Sequence, residues 1–328
     1  MTGLRQKGET MNFTAGMTYI LKNSGSKEYQ HPKKIRKEFR LMKEKLAVNS
    51  VTIVLQALMA NPHVEEIDWH SSATPTDDEL NTVIRAAQDE GLSIILKPMV
   101  NCRNGTWRGY ISFIDPPVEP EPKWSGWFRN YTEYMLHYAD IAETTGCEML
   151  LLGCEFVLAQ GQEQYWRKLV LDVREHYHGL LSFNVDKYQE DRLTWWDAVD
   201  VISSSGYYPS GTWQENLDRI EAVVKKYGKP FYFAECGCPA QKGASSRPND
   251  WTVSTPASER EQVLYYDEMM RECMKRPWCG GFACWAWVMS EYKHPKRVGS
   301  YSVCGRKTEN VIRKAYRKAE EDGRTLNG

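Results

Sequence analysis

Pro230-Phe231-Tyr232-Phe233-Ala234-Glu235-Cys236-Gly237-Cys238-Pro239 reads as a buried strand that ends in a carboxylate. The aromatic, apolar run has strand character, and Gly and Pro stop it at once. A charge at the lip of a buried strand is costly unless it is paired or used. The same design occurs earlier, in Glu148-Met149-Leu150-Leu151-Leu152-Gly153-Cys154-Glu155-Phe156. Outward from these two glutamates, strand-like and helix-like segments alternate along the whole chain. Strands are expected at 12–20, 51–59 and 92–100, then a fourth ending in Glu155, then at 180–185, 198–204, 231–235 and 280–288. Helical periodicity marks 31–47, 76–90, 127–145, 163–176, 213–227, 257–275 and 310–321. Thr76 with Glu79 forms a capping-box start, and Gly91 is a stop.

Eight strands, each followed by a helix and with no break in composition, predict a single (β/α)8 barrel. It would span 12–321, between tails at 1–11 and 322–328, the second of them frayed. A doubly wound open sheet is the competing arrangement. It needs glycines after its first strand that Ala15-Gly16-Met17-Thr18 lacks.

Composition narrows the function. A chain of 328 residues with 41% hydrophobic residues and 12 Trp can bury a large core. Its net charge of −1 gives no sign of a nucleic-acid or anionic-membrane partner. No apolar run approaches the ~20 residues of a membrane helix, and Met1–Thr10 is polar, without a secretory core. Nine scattered cysteines, with Cys147, Cys154 and Cys284 inside apolar runs, read as reduced thiols of a cytoplasmic protein. Cys236-Gly237-Cys238 fits neither a redox nor a zinc spacing, and His70, His137 and His294 stand alone. No metal or cofactor is expected. Lys33-Lys34-Ile35-Arg36-Lys37 reads as a solvated helix face. The sequons at Asn104 and Asn130 would go unused inside a cell.

In such a barrel the chemistry lies at the C-terminal strand ends and on the loops that follow. Glu155 and Glu235 occupy the fourth and seventh of these ends; Asn101, Tyr207 and Trp285 lie at the third, sixth and eighth. The long loops 101–123 and 236–258 are aromatic, with Trp107, Tyr110, Phe113 and Trp251. Aromatic faces beside paired carboxylates suit a sugar ring, and two carboxylates are the minimum for cleaving a glycosidic bond. Lys97 shares the strand parity of Asn101 and should point into the barrel as a buried ion-pair partner. Of the alternating Trp285 and Trp287, the second is the core residue. Trp107 serves equally as a lid residue.

These residues resemble the retaining glycosidases of clan A, and within them glycoside hydrolase family 113, the β-mannanases. The resemblance covers roughly residues 12–290. It rests on Gly16-Met17-Thr18, Thr74-Pro75-Thr76-Asp77, Leu96-Lys97-Pro98-Met99-Val100-Asn101, Gly105-Thr106-Trp107-Arg108-Gly109, Gly153-Cys154-Glu155 and Phe233-Ala234-Glu235. It implies a retaining hydrolase of β-mannosidic linkages, with Glu155 as acid/base and Glu235 as nucleophile. Asn101, Trp107, Cys154, Tyr207 and Trp285 would bind substrate, Tyr207 holding Glu235 ionised and Trp285 flooring the subsite where the bond breaks. Cys154 stands where most of the clan has Asn, and Met99 where family members often have His. An apolar bed from Leu151 and Phe156, with the Glu235 charge, would keep Glu155 protonated. The rivals are the same machinery on β-glucosides or β-xylosides, a non-catalytic carbohydrate-binding barrel, and a lyase with Lys97 as Schiff base.

Overall fold

Eight parallel strands close into a barrel in the computed structural model, which describes residues 11–252, 254–288 and 299–326. They are β1 (Thr14–Ile20), β2 (Ser50–Met59), β3 (Ser93–Cys102), β4 (Met149–Cys154), β5 (Leu180–Val185), β6 (Val201–Gly206), β7 (Phe231–Cys236) and β8 (Cys279–Cys284). Each pairs with the next, and β8 returns to β1 through Thr14 opposite Gly281. That closure needs a glycine, because a Cβ on Gly281 would lie 2.1 Å from the Thr14 carbonyl oxygen. Outside the barrel lie α1 (Pro32–Leu46), α2 (Asp77–Gln88), α3 (Trp124–Thr145), α4 (Glu163–Arg174), α5 (Trp213–Tyr227), α6 (Glu259–Met274) and α7 (Thr308–Glu321). The Thr76 capping box forms as expected. No helix among the described residues is long and apolar enough to cross a membrane.

Strand alternation divides the core into two layers. Inside the barrel, Ile95, Met149, Leu151, Val201, Tyr232, Ala234 and Ala283 pack together. Between barrel and helices lies a larger aromatic layer, in which Phe231 and Phe233 of β7 face outward. Burial of this scale, at roughly 25 cal/mol per Å² of apolar surface, is the main force closing the barrel.

Three expectations are corrected. β5 is not followed by an α-helix: only a short 3-10 turn, Trp196–Ala198, lies on the way to β6. Buried indoles fill the space instead. Trp195 stacks on Trp166 at 5.5 Å, and Trp196 Nε1 donates to the Glu190 carbonyl at 2.8 Å. The buried Glu190 carboxylate, bonded by Arg219, Ser204 and Tyr208, pins the segment. Second, β8 ends at Cys284, so Trp285 and Trp287 follow the strand and do not alternate on it; Trp287 is buried, as a core residue should be. Third, part of each expected tail is tied down, since Met11–Asn12 pairs antiparallel with Thr325–Leu326. His294 and Met1–Thr10 lie outside the described residues.

Candidate active site

Both strands that end in glutamate carry one extra residue just before it. Against β5, Leu151 pairs with Ser182 but Cys154 with Asn184, so β4 has a bulge. Against β6, Phe233 pairs with Ser204 but Glu235 with Ser205, so β7 has one too. The first bulge turns Cys154 onto the barrel axis beside Val54 and Met99. Glu155 then follows in the left-handed region at φ 55°. The second turns Glu235 inward, against the outward direction that simple alternation from Ala234 gives it.

Glu235 is sealed from solvent and fully engaged. Lys97 Nζ lies 2.5 Å from its Oε1 and also donates to Asn184 Oδ1 at 2.6 Å. Cys154 Sγ donates to Oε1 at 3.4 Å, and the Tyr207 hydroxyl to Oε2 at 3.0 Å. Burial would push this carboxyl up, but the Lys97 and Arg108 charges outweigh it and hold it below the ordinary carboxylate value. Burial works against the Lys97 ammonium too. The facing Glu235 carboxylate overcomes that and holds it above its usual value. A Schiff-base lysine needs the opposite shift, so the lyase reading loses its nucleophile.

Glu155 is held by a different set of donors. Ser205 Oγ donates to Oε1 at 2.7 Å; Arg108 Nη2 and Trp107 Nε1 donate to Oε2 at 3.0 and 3.2 Å. The expected apolar bed is therefore not there. Phe156 packs outward into the aromatic layer, and a guanidinium, an indole and a hydroxyl surround the carboxylate. Arg108 also bonds the Cys154 carbonyl at 3.0 Å and Asn101 Oδ1 at 2.7 Å, while Asn101 donates to Gln56 at 2.9 Å. The Gly105-Thr106-Trp107-Arg108-Gly109 segment makes this possible by folding back on itself. A Cβ on Gly109 would lie 2.4 Å from the Trp107 ring.

One cavity of about 600 Å³ joins these groups, within the usual range for small-molecule sites. Asn101, Trp107, Tyr207, Trp285, Glu155 and Glu235 all line it, and Cys154 lies beneath. Trp285 packs on Val54, Met99 and Cys154 and so forms a floor. Above it, Trp251 meets Trp285 edge-on at 6.4 Å and leans on Tyr301 at 4.2 Å. Every site residue expected from the sequence is thus at the cavity. Arg108, Gln56, Asn184 and Ser205 were not foreseen as site residues, nor were Trp251 and Asp186. Ser182 with Asn184 and Ser203 with Ser205 were the legible signal: polar residues two apart in buried strands point inward together.

Oxygens of Glu155 and Glu235 and the Cys154 sulfur lie within 4.8 Å of one another, close enough to surround a cation. The charges already there argue for another use. Burial pushes the Cys154 thiol up to about 12, so it stays protonated, and Lys97 and Arg108 supply the positive charge. With one oxygen of each carboxylate within 4.8 Å of the other, the pair is spaced more like the ~5–5.5 Å of a double displacement than the ~6.5–9.5 Å that an inverting water needs.

Comparison with known proteins agrees with this geometry. The model of Glycoside Hydrolase Family 113 matches residues 17–306. A solved GH113 β-1,4-mannanase complex is 44% identical, with a TM-score of 0.90, covering 94% of this chain and 99% of its own. The GH113 β-mannanase AaManA of Alicyclobacillus acidocaldarius, in complex with ManMIm, is 33% identical, with a TM-score of 0.88 over 94% and 98%. A family 5 mannosidase of Rhizomucor miehei, at 12% identity and TM-score 0.64 over 95% and 94%, shares the fold alone. No curated protein matches the chain. With the family model spanning most of the sequence and these relatives spanning nearly all of it, the chain belongs to glycoside hydrolase family 113.

Proposed function

We propose that this glycoside hydrolase cleaves β-mannosidic linkages by double displacement, with Glu235 as nucleophile and Glu155 as acid/base. The close approach of the two carboxylates carries the reading, together with their unequal surroundings. Glu235, held ionised by Lys97 and Tyr207, attacks the anomeric carbon as the glycosidic C–O bond breaks. Glu155 gives its proton to the departing oxygen. Glu155 then takes a proton from water as that water attacks the anomeric carbon and frees Glu235, so configuration is retained. The glycone would lie on Trp285, with Asn101 and Trp107 along its edge.

Short manno-oligosaccharides imported into the cell are the substrates we favour. The nine cysteines support a reducing compartment: all are free and buried, and Cys236 and Cys284 lie 3.9 Å apart as thiols. Aryl β-mannoside, β-glucoside and β-xyloside, run beside manno-oligosaccharides with wild type, Glu155→Ala and Glu235→Ala, test the reading. Mannoside turnover should dominate and fall in both variants, and azide should restore Glu155→Ala with a β-azide product. Preferred turnover of glucoside or xyloside would refute the sugar assignment. An α-azide product would refute the mechanism.

A further inference from the structure

The reaction just described leaves one half-buried carboxylate at the cavity without a task. Asp186 follows directly on β5, and with Lys187 it lines the same cavity as Glu155. The backbone N–H of Glu155 donates to the Asn184 carbonyl at 2.7 Å, two residues before Asp186. A turn fixes its position, with the Gln189 N–H donating to the Asp186 carbonyl at 3.2 Å, and Gln189 is tied to Gln160 at 2.9 Å. Among the described residues, the Lys187 backbone N–H and ammonium favour the ionised form of the carboxylate, and no side chain is within hydrogen-bonding distance of it. Glu155 and Glu235, by contrast, each accept from three protein side chains. A carboxyl, protonated or ionised, has more acceptor sites than its own turn fills, so Asp186 has capacity left for a ligand.

Its place around the barrel says which part of a ligand. Glu235 and Trp285 belong to β7 and the end of β8, which makes that side the seat of the sugar attacked. The proton donor Glu155 faces the oxygen that leaves. Asp186, at the end of β5, is the neighbour of Glu155 on β4 and stands three strands round the barrel from Trp285. Burial and the Glu155 charge push its carboxyl up to about 7, as two carboxyls facing one cavity should do.

We infer that Asp186 is a specificity-determining residue that accepts hydrogen bonds from hydroxyls of the leaving sugar. The inference rests on the double-displacement reading above. It makes the enzyme selective for saccharide over aryl leaving groups, because a nitrophenyl ring brings no hydroxyl to Asp186. A buried acceptor left without its donor discriminates more strongly than a lost apolar contact.

The test compares kcat/KM on mannotriose and on 4-nitrophenyl β-mannoside for wild type, Asp186→Asn and Asp186→Ala. Mannotriose hydrolysis should fall about 10- to 100-fold, and the ratio of the two substrates should shift at least tenfold toward the aryl mannoside. Proportional loss on both substrates, or no loss on either, would overturn the inference. So would a steeper dependence on leaving-group acidity across a series of aryl mannosides, which would mean that Asp186 acts through the proton of Glu155. A wild type that cleaves neither mannoside would instead bring down the mannosidic reading itself, and this inference with it.

Discussion

Lys97 and Glu235 form an ion pair of 2.5 Å with both side chains shut off from water. A pair of this kind is held in place by what its loss would leave behind: one charge in a low-dielectric interior with no partner. On the proposed mechanism the partner is the attacking group, so the pair would set the charge of the nucleophile as well as the integrity of the barrel.

Lys97→Met should therefore cost both stability and rate. Stability should drop by ~3–5 kcal/mol, the usual penalty for orphaning a buried charge, and Lys97→Met with Glu235→Gln should recover much of it. Because Lys97 holds the Glu235 carboxyl down, its removal should move the acid limb of the kcat/KM profile to higher pH. An acid limb that stays put in the single variant would contradict the assignment of Glu235.

Arg108 connects Asn101, the Cys154 carbonyl and Glu155, a task for a rigid fork of donors. Arg108→Lys keeps the charge and loses the fork. Its kcat should fall about 10- to 100-fold on mannotriose, whose departing oxygen needs a well-placed proton. On 2,4-dinitrophenyl β-mannoside, which needs none to depart, formation of the glycosyl-enzyme should suffer far less. Equal losses in a pre-steady-state comparison would show that Arg108 does not act on Glu155.

Asp186 links function to stability. Its carboxyl titrates at about 7 in the folded enzyme against an ordinary 3.8. As pH rises through that interval the unfolded chain releases the proton first, so the folded state loses stability, and the loss is complete above about 7. Allowing for partial exposure, the penalty is ~1–2 kcal/mol. Asp186→Asn should melt a few degrees above wild type at pH 8, with a much smaller gap at pH 4.5. An identical gap at both pH values would rule out the raised carboxyl.

Trp251 is 62% exposed and stands over the Trp285 floor on a support from Tyr301. An exposed indole there can stack on a second sugar of the glycone chain. Trp251→Ala should raise KM on mannotetraose several-fold and hardly change it on 4-nitrophenyl β-mannoside, whose single sugar does not reach that far. Equal KM changes would make Trp251 part of the lid only.

The fold was legible because a barrel repeats one pattern. Buried strands such as Leu150–Leu152 and Phe231–Phe233 stand out between amphipathic helices, and the glutamates at their ends stand out against them. The sequence expectation failed where local geometry breaks the pattern. Nothing in Ala234-Glu235 announces the extra residue that turns Glu235 inward, since a bulge is settled by pairing with β6. Arg108 lies within a recognisable segment, yet its role depends on a ring folding over Gly109. The fifth helix was expected only from the barrel's one-helix-per-strand rule, with no helical periodicity between 185 and 198 to support it, and Trp195 and Trp196 fill its place with side chains.

The left-handed backbone of Glu155 also bears on how this site can decay. Such a conformation costs a residue with a Cβ ~1–2 kcal/mol, and glycine adopts it freely. Glycine at position 155 would release that strain and at the same time leave the Arg108 guanidinium without its carboxylate. The backbone and the ion pair thus pull this position in opposite directions, and the loss of the pair is the larger cost.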